Sequence, residues 1–344
     1  MNSSTTTAEP GSGIFDAQPS PARARLLRTQ VNFLLRDGLR RCLDIARTAI
    51  PEHAAAADTV LGDLDIDRRI APIVFSLHRQ ISSGVRAQDV SRVVMGLARL
   101  RSCHDRGEMF ADDIELSTLR WDECDHETVQ YIHSDIGPRG PNGELPTMLP
   151  LHNSEFEGHA TAARRALDLL RIAAPEMHGE VTELVSSIRL YHQQHIGSVS
   201  SPRSFGLMHL HLPTSEAEIA DPTACFVDRI THETSHIALN AVMTHDKLVL
   251  NDPAERFDSP LRTDPRPLVG IYHGTFVLSR VVHVLSRARR HHDTSALTTM
   301  LDHLTAAFHD AHGTVAKNGR LSAAGHEILN SCQKLVAEAA VPQA

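Results

Sequence analysis

Apolar residues recur every three or four positions along most of this chain, which is the spacing of amphipathic helices. The predicted helices are 22–50, 54–64, 71–81, 88–104, 156–172, 176–195, 226–243, 268–290, 295–315 and 322–339. Residues 205–212 differ, because large apolar residues alternate there with His209 and His211, the period of a β-strand. The pattern predicts a mainly α fold, a multi-helix globular domain with a small β-sheet beside the helix of residues 226–243.

The spacing also indicates how the chain is divided. Residues 1–20 are rich in Ser, Thr, Pro and Gly, and we expect a disordered N-terminal leader. A turn-rich loop at 137–143 is the clearest internal break. We therefore predict an N-terminal helical region, 21–150, and a C-terminal region, 151–344, packed together as one compact unit.

Composition excludes several classes of function. Apolar residues make up 41% of the chain and charged residues 22%, as in ordinary soluble proteins. The net charge of −8 and the 4% aromatic content argue against nucleic acid and anionic membranes as partners. No apolar run approaches the roughly 18 residues of a membrane span.

Cysteine usage and the N-terminus indicate the compartment. The five cysteines are far apart and form no C-x-x-C pair, which favours reduced thiols and a cytoplasmic protein. The N-terminus lacks the basic start and apolar stretch of a secretory signal. The oligomeric state is left open by the sequence.

The segment His232-Glu233-Thr234-Ser235-His236 carries the clearest chemistry. Histidines four residues apart lie on one face of a helix, about 6 Å apart along its axis, where one metal ion can take both. Glu233 lies roughly a third of a turn away and would be the general base of a zinc peptidase. The alternative without a metal is a pair of histidines on a solvated or packed helix.

A catalytic metal requires a third protein ligand, and His273 is the best candidate. It lies 37 residues after His236 (273 − 236) at the start of the next predicted helix, flanked by Gly270 and Gly274. The glycines allow close approach. A histidine at a helix start that binds a backbone carbonyl is the alternative.

Two arginines precede this histidine. Arg262 and Arg266 lie in a Pro-rich loop, and two guanidinium groups near a metal ion require a neutralising anion. A bidentate arginine–carboxylate contact would suit a dicarboxylate co-substrate. Pairing of either arginine with Asp258 or Asp264 is the alternative.

Together these segments carry a family resemblance. The sequences THETSH (231–236), SPLRTDPRP (259–267) and GIYHGTFV (270–277) resemble the HExxH-motif family of peptide-modification proteins, encoded beside precursors of ribosomally made, post-translationally modified peptides. Members are understood as iron(II)- and 2-oxoglutarate-dependent hydroxylases of peptide β-carbons. The resemblance implies that His232, His236 and His273 bind iron and that Arg262 or Arg266 binds the distal carboxylate of 2-oxoglutarate.

The resemblance predicts a cytoplasmic dioxygenase that acts in the biosynthesis of ribosomally made, post-translationally modified peptides (RiPPs). Its partner would be a precursor peptide. In that chemistry Glu233 would be an outer or weak ligand rather than a base. The alternatives are a zinc metallopeptidase that removes a leader peptide with Glu233 as base, and a non-catalytic peptide-binding protein. If the 205–212 strand is an edge, it could pair with an extended substrate; burial of Met208 inside the sheet is the alternative.

Overall fold

The structure is a computed structural model that describes residues 13–138, 140, 142–259 and 262–340, without the side chains of residues 262 and 263. Its helices are α1 Pro21–Ala46, α2 Pro51–Gly62, α3 Pro72–Ala87, α4 Val90–Asp105, α5 Glu123–Tyr131, α6 Asn153–Ala173, α7 Pro175–Leu184, α8 Glu216–Ala220, α9 Pro222–Val242, α10 Leu268–Ala288, α11 Ser295–Asn318 and α12 Ala323–Ala340. Its strands are β1 Glu115–Thr118, β2 Thr147–Leu149, β3 Ser187–Gln194, β4 Val199–Ser200, β5 Leu207–His211, β6 Phe257–Ser259 and β7 Arg262–Arg266. The prediction of a mainly α fold with a small sheet is confirmed.

The chain forms two compact units that are interleaved along the sequence. One, the motif unit, comprises residues 13–24, Glu157–Val181 and the described residues from Pro213 onward; the other, the sheet unit, comprises Arg25–Phe156 and Thr182–Leu212. The predicted division into 21–150 and 151–344 differs from this. Three of the four boundaries lie inside the helices α1, α6 and α7, so no local composition change marks them; the fourth lies between β5 and α8.

The predicted leader is partly ordered. Residues 1–12 lie outside the described part of the chain, but Phe15 and Ala17 are buried. The backbone N–H of Ala17 donates to Ser331 Oγ at 2.9 Å, and that of Ser20 donates to Glu180 at 2.9 Å. The expectation of disorder is therefore wrong for residues 13–20, because a few apolar residues and backbone hydrogen bonds hold them on the motif unit.

The sheet unit contains one five-stranded sheet. Its order is β1-β3-β5-β4, with β2 also paired to β3; β1, β3 and β5 are parallel. The sheet and the motif helix α9 belong to different units. β5 lies between β3 and β4, so it offers no open edge to a substrate, and Met208 is buried within it.

The predicted helix 176–195 is wrong in its second half. α7 ends at Leu184, and β3 begins at Ser187. Ile188 and Leu190 alternate with Arg189, whose guanidinium is buried against Asp125. A buried arginine resembles an exposed helix position in sequence, because its ion-pair partner comes from a distant segment.

The motif unit is built around α10. This helix packs against α9, α11 and α12, and β6 and β7 form an antiparallel hairpin in the same unit. The hairpin occupies part of the predicted Pro-rich loop. By length and composition α10 alone among the described helices could cross a membrane, but 78% of its apolar stretch is buried, as in the core helix of a soluble protein.

An ion pair is buried between α7 and α10. Arg280 is fully buried, donates a hydrogen bond to Glu180 and lies over the ring of Phe276 at 5.1 Å. Glu180 also lies 3.9 Å from Arg23. Removing one charge of a buried pair leaves the other without a counter-charge in surroundings that solvate ions poorly.

We expect Glu180→Gln to lower the free energy of unfolding by about 3–5 kcal/mol, because it leaves Arg280 buried without a counter-charge. Glu176→Gln is the matched control, since it breaks the partly exposed pair with Arg287 at 3.2 Å between the same helices and should cost about 0–1 kcal/mol. Urea denaturation of both variants measures the difference. Equal losses would show that burial does not set the strength of these pairs.

Candidate metal centre

The motif helix α9 has a firmly fixed beginning. Its N-cap Asp221 accepts a hydrogen bond from the backbone N–H of Ala224 at 3.0 Å, and Pro222 occupies the first turn. His292 and Thr294 donate to the same carboxylate at 2.9 and 2.5 Å. These contacts fix where the first turn starts and so which residues face the core.

The two faces of α9 differ. An apolar stripe at helical spacing is buried: Phe226, Ile230, Ile237 and Ala241. Within the motif, the hydroxyls of Thr234 and Ser235 donate to carbonyls one turn earlier, at 2.7 and 2.6 Å, and are also buried. His232 and His236 therefore occupy the partly exposed face.

The two motif histidines are spaced as one ion requires. Their ring centroids are 5.0 Å apart, with the planes inclined at 63°. Two imidazoles bound to one ion through nitrogens about 2.1 Å from it have centroids about 4.5–5.2 Å apart. The spacing of His232 and His236 falls within that range.

His273 lies next to this pair, near the start of α10. Its ring stacks on His236 with centroids 5.9 Å apart and planes 26° apart, while its Nε2 contacts Met243 Sδ at 3.0 Å. A thioether has no proton to donate, so a hydrogen bond here requires Nε2 to carry the ring proton.

The three rings thus form a row rather than a closed cluster. Among the described residues, no group of three His, Cys, Asp or Glu side chains is arranged as a metal site. To join an ion held by His232 and His236, His273 would have to leave Met243.

Electrostatics keeps the three imidazoles neutral. Burial lowers the pKa of His232, against a smaller opposing effect of Glu233. Burial first, and then the neighbouring histidines and Arg266, hold the pKa of His236 well below its usual value. Burial and Arg266 lower the pKa of His273 to about 4. Metal ions bind neutral imidazole, so little protonation competes with a metal at neutral pH.

Arg266 is therefore the predicted arginine that the structure places near the histidines. It ends β7, two residues before α10, and its guanidinium lies over Gly270, where a Cβ would be 3.6 Å from Arg266 Cζ. This is van der Waals distance, so Arg266 lies directly against the first turn of α10. The side chain of Arg262 lies outside the described part of the structure.

Glu233 does not occupy the position of an exposed base. Its side chain is buried, with 2% of the residue exposed to solvent. A peptidase base must reach a metal-bound water and the substrate. The burial of Glu233 disfavours that role in this conformation.

Asp228 is a candidate residue that the sequence analysis missed. It lies one turn before His232 on the same face of α9, and burial raises its pKa to about 6 although Arg229 opposes the shift. Its four-residue spacing from His232 is the sequence pattern that indicates it.

A scan against protein-family models finds no match for this chain, and none of the curated proteins matches it.

We expect Met243→Leu to strengthen metal binding about two- to fivefold, because it removes a weak N–H···S contact worth about 0.5–1 kcal/mol that holds His273 away from the pair. Competition for Co²⁺ or Zn²⁺ against a chromophoric chelator measures the affinity. Met95→Leu, at an exposed methionine of the sheet unit, is the control. Weaker binding in Met243→Leu would instead identify the sulfur as part of the site.

Proposed function

We propose that this chain is an iron(II)- and 2-oxoglutarate-dependent dioxygenase that hydroxylates a side-chain carbon of a ribosomally made precursor peptide. The observation that carries the proposal is the position of Arg266, close enough to His236 and His273 to depress the pKa of both. A guanidinium beside prospective metal ligands is placed to bind one carboxylate of a co-substrate whose other end reaches the ion. A dicarboxylate such as 2-oxoglutarate has that second carboxylate.

Each residue then has a defined task. His232 and His236 would hold the ion, and His273 would complete the set after leaving Met243. Three protein ligands would leave room at the ion for a co-substrate. Bound iron would supply the oxygen chemistry, in which a C–H group, O₂ and 2-oxoglutarate give C–OH, succinate and CO₂.

The remaining protein groups position the co-substrate. Arg266 would bind the distal carboxylate of 2-oxoglutarate through a charge-assisted pair. The guanidinium already lies against Gly270 in the first turn of α10, close to His273. Glu233, which is buried, has no proton to transfer in this reaction and would support the ligands from behind.

We expect Arg266→Gln to weaken 2-oxoglutarate binding about 10- to 100-fold, since hydrogen bonds to charged groups are worth about 1.5–3 kcal/mol. The measurement is an anaerobic titration of 2-oxoglutarate into the iron(II)-loaded protein, followed by its visible charge-transfer absorption. Arg256→Gln is the control, because this guanidinium donates to the carbonyl of Pro253 in the same segment. A larger loss of affinity in Arg262→Gln would show that Arg262, rather than Arg266, binds the distal carboxylate.

Turnover tests the reaction itself. With iron(II), 2-oxoglutarate, oxygen and the precursor peptide encoded beside the gene, we expect one succinate released for each oxygen atom added to the peptide. Absence of both products would reject the proposal. Peptide cleavage that depends on zinc, ignores 2-oxoglutarate and disappears in Glu233→Gln would establish the metallopeptidase instead.

A further inference from the structure

A carboxylate continues the row of metal-binding side chains on α9. Asp228 precedes His232 by four residues, as His232 precedes His236. Side chains four residues apart on a helix are neighbours, with Cβ atoms about 5–6 Å from each other. Asp228 is therefore the next group along the face that carries the two histidines.

Within the part of the chain that the structure describes, the charge of Arg229 acts on this carboxylate, but no side chain forms a hydrogen bond or ion pair with it. Asp228 is only partly exposed. Its neighbour Arg229 is directed to Glu218, at 2.8 Å. Partial burial of an unpaired carboxylate is unfavourable, so a partner that arrives later would relieve a cost already present in the fold.

Among the described residues, His232 forms no hydrogen bond; its ring contacts that of His236, and the charge of Glu233 acts on it. A metal-bound histidine usually donates its second ring N–H to a carboxylate, a carbonyl or water, which fixes the orientation of the ring. Side chains on a helix lean toward its N-terminus, so the ring of His232 leans toward the turn that carries Asp228. The only other acidic residue of α9 is Glu233, which lies about 100° around the helix from His232.

The charges of the proposed centre favour an acidic group here. A divalent ion bound by neutral imidazoles keeps its charge of about +2, and Glu233, whose charge acts on His232, offsets part of it. A second carboxylate nearby would offset more. Asp228 is the acidic residue on the ligand face of α9.

We propose that Asp228 is the acidic partner of His232, whose ring N–H on the side away from the ion donates to the Asp228 carboxylate once metal binds. Asp228 is then a positioning residue that acts through His232. The inference rests on the proposed metal centre, but it does not depend on which reaction the centre performs.

Co²⁺ binding to the full-length protein tests this role without any substrate. Asp228→Asn should weaken Co²⁺ affinity about 10- to 100-fold, the usual effect of losing such an outer partner. Asp228→Glu should restore most of the affinity. Asn240→Ala, one turn beyond His236 on the same face, should leave the affinity unchanged.

Two further measurements separate this role from a structural one. The metal-free Asp228→Asn protein should unfold at the same temperature as the parent or a higher one, because the substitution removes an unpaired charge. In a His232→Ala background, Asp228→Asn should produce no further loss of affinity. An undiminished second loss, or a parent-like affinity in Asp228→Asn alone, would overturn the assignment.

The outcomes also separate this inference from the proposed function. If the parent protein binds no Co²⁺, both the metal centre and the role of Asp228 are rejected. If Co²⁺ binding depends on Asp228 and His232 together but no succinate is released, the role of Asp228 stands and the hydroxylase proposal fails.

Discussion

Burial of α10 is the constraint on which the motif unit depends. The helix is surrounded by α9, α11 and α12, and its apolar residues face three neighbours at once. Because a helix is rigid, the packing of Phe276 and Val277 in this core also determines where His273 lies relative to α9. The geometry of the candidate centre is therefore inherited from the core, and the hairpin that carries Arg266 needs only to reach the start of α10.

Much of this arrangement could be predicted because it is local. The period of α9 separates Phe226 and Ile230 from His232 and His236 without any tertiary information. The glycines around His273 indicated close approach to another group. In contrast, the contact of His273 with Met243 depends on a rotamer that neighbouring helices select, and no sequence pattern specifies it.

Each error has a physical reason. Arg189 resembles an exposed residue in sequence because Asp122 and Asp125, which pair with it at 2.7 and 2.6 Å, lie more than sixty residues earlier. The β6–β7 hairpin is a local pairing, but its prolines are typical of a loop. Asp228 carries no sequence signal of its own, because a carboxylate on a partly exposed helix face is ordinarily solvated.

All five cysteines are buried as free thiols, and this has a consequence for a protein proposed to handle oxygen. Burial raises the pKa of Cys124, Cys225 and Cys332 to about 12. At pH 7 only about one molecule in 10⁵ carries the thiolate at any one of them. Since the thiolate is the form that oxidants attack, these three thiols react slowly with oxidants. Met243 is by contrast partly exposed and in contact with His273, so an oxidant formed at the proposed centre would meet this sulfur atom more readily than the buried thiols.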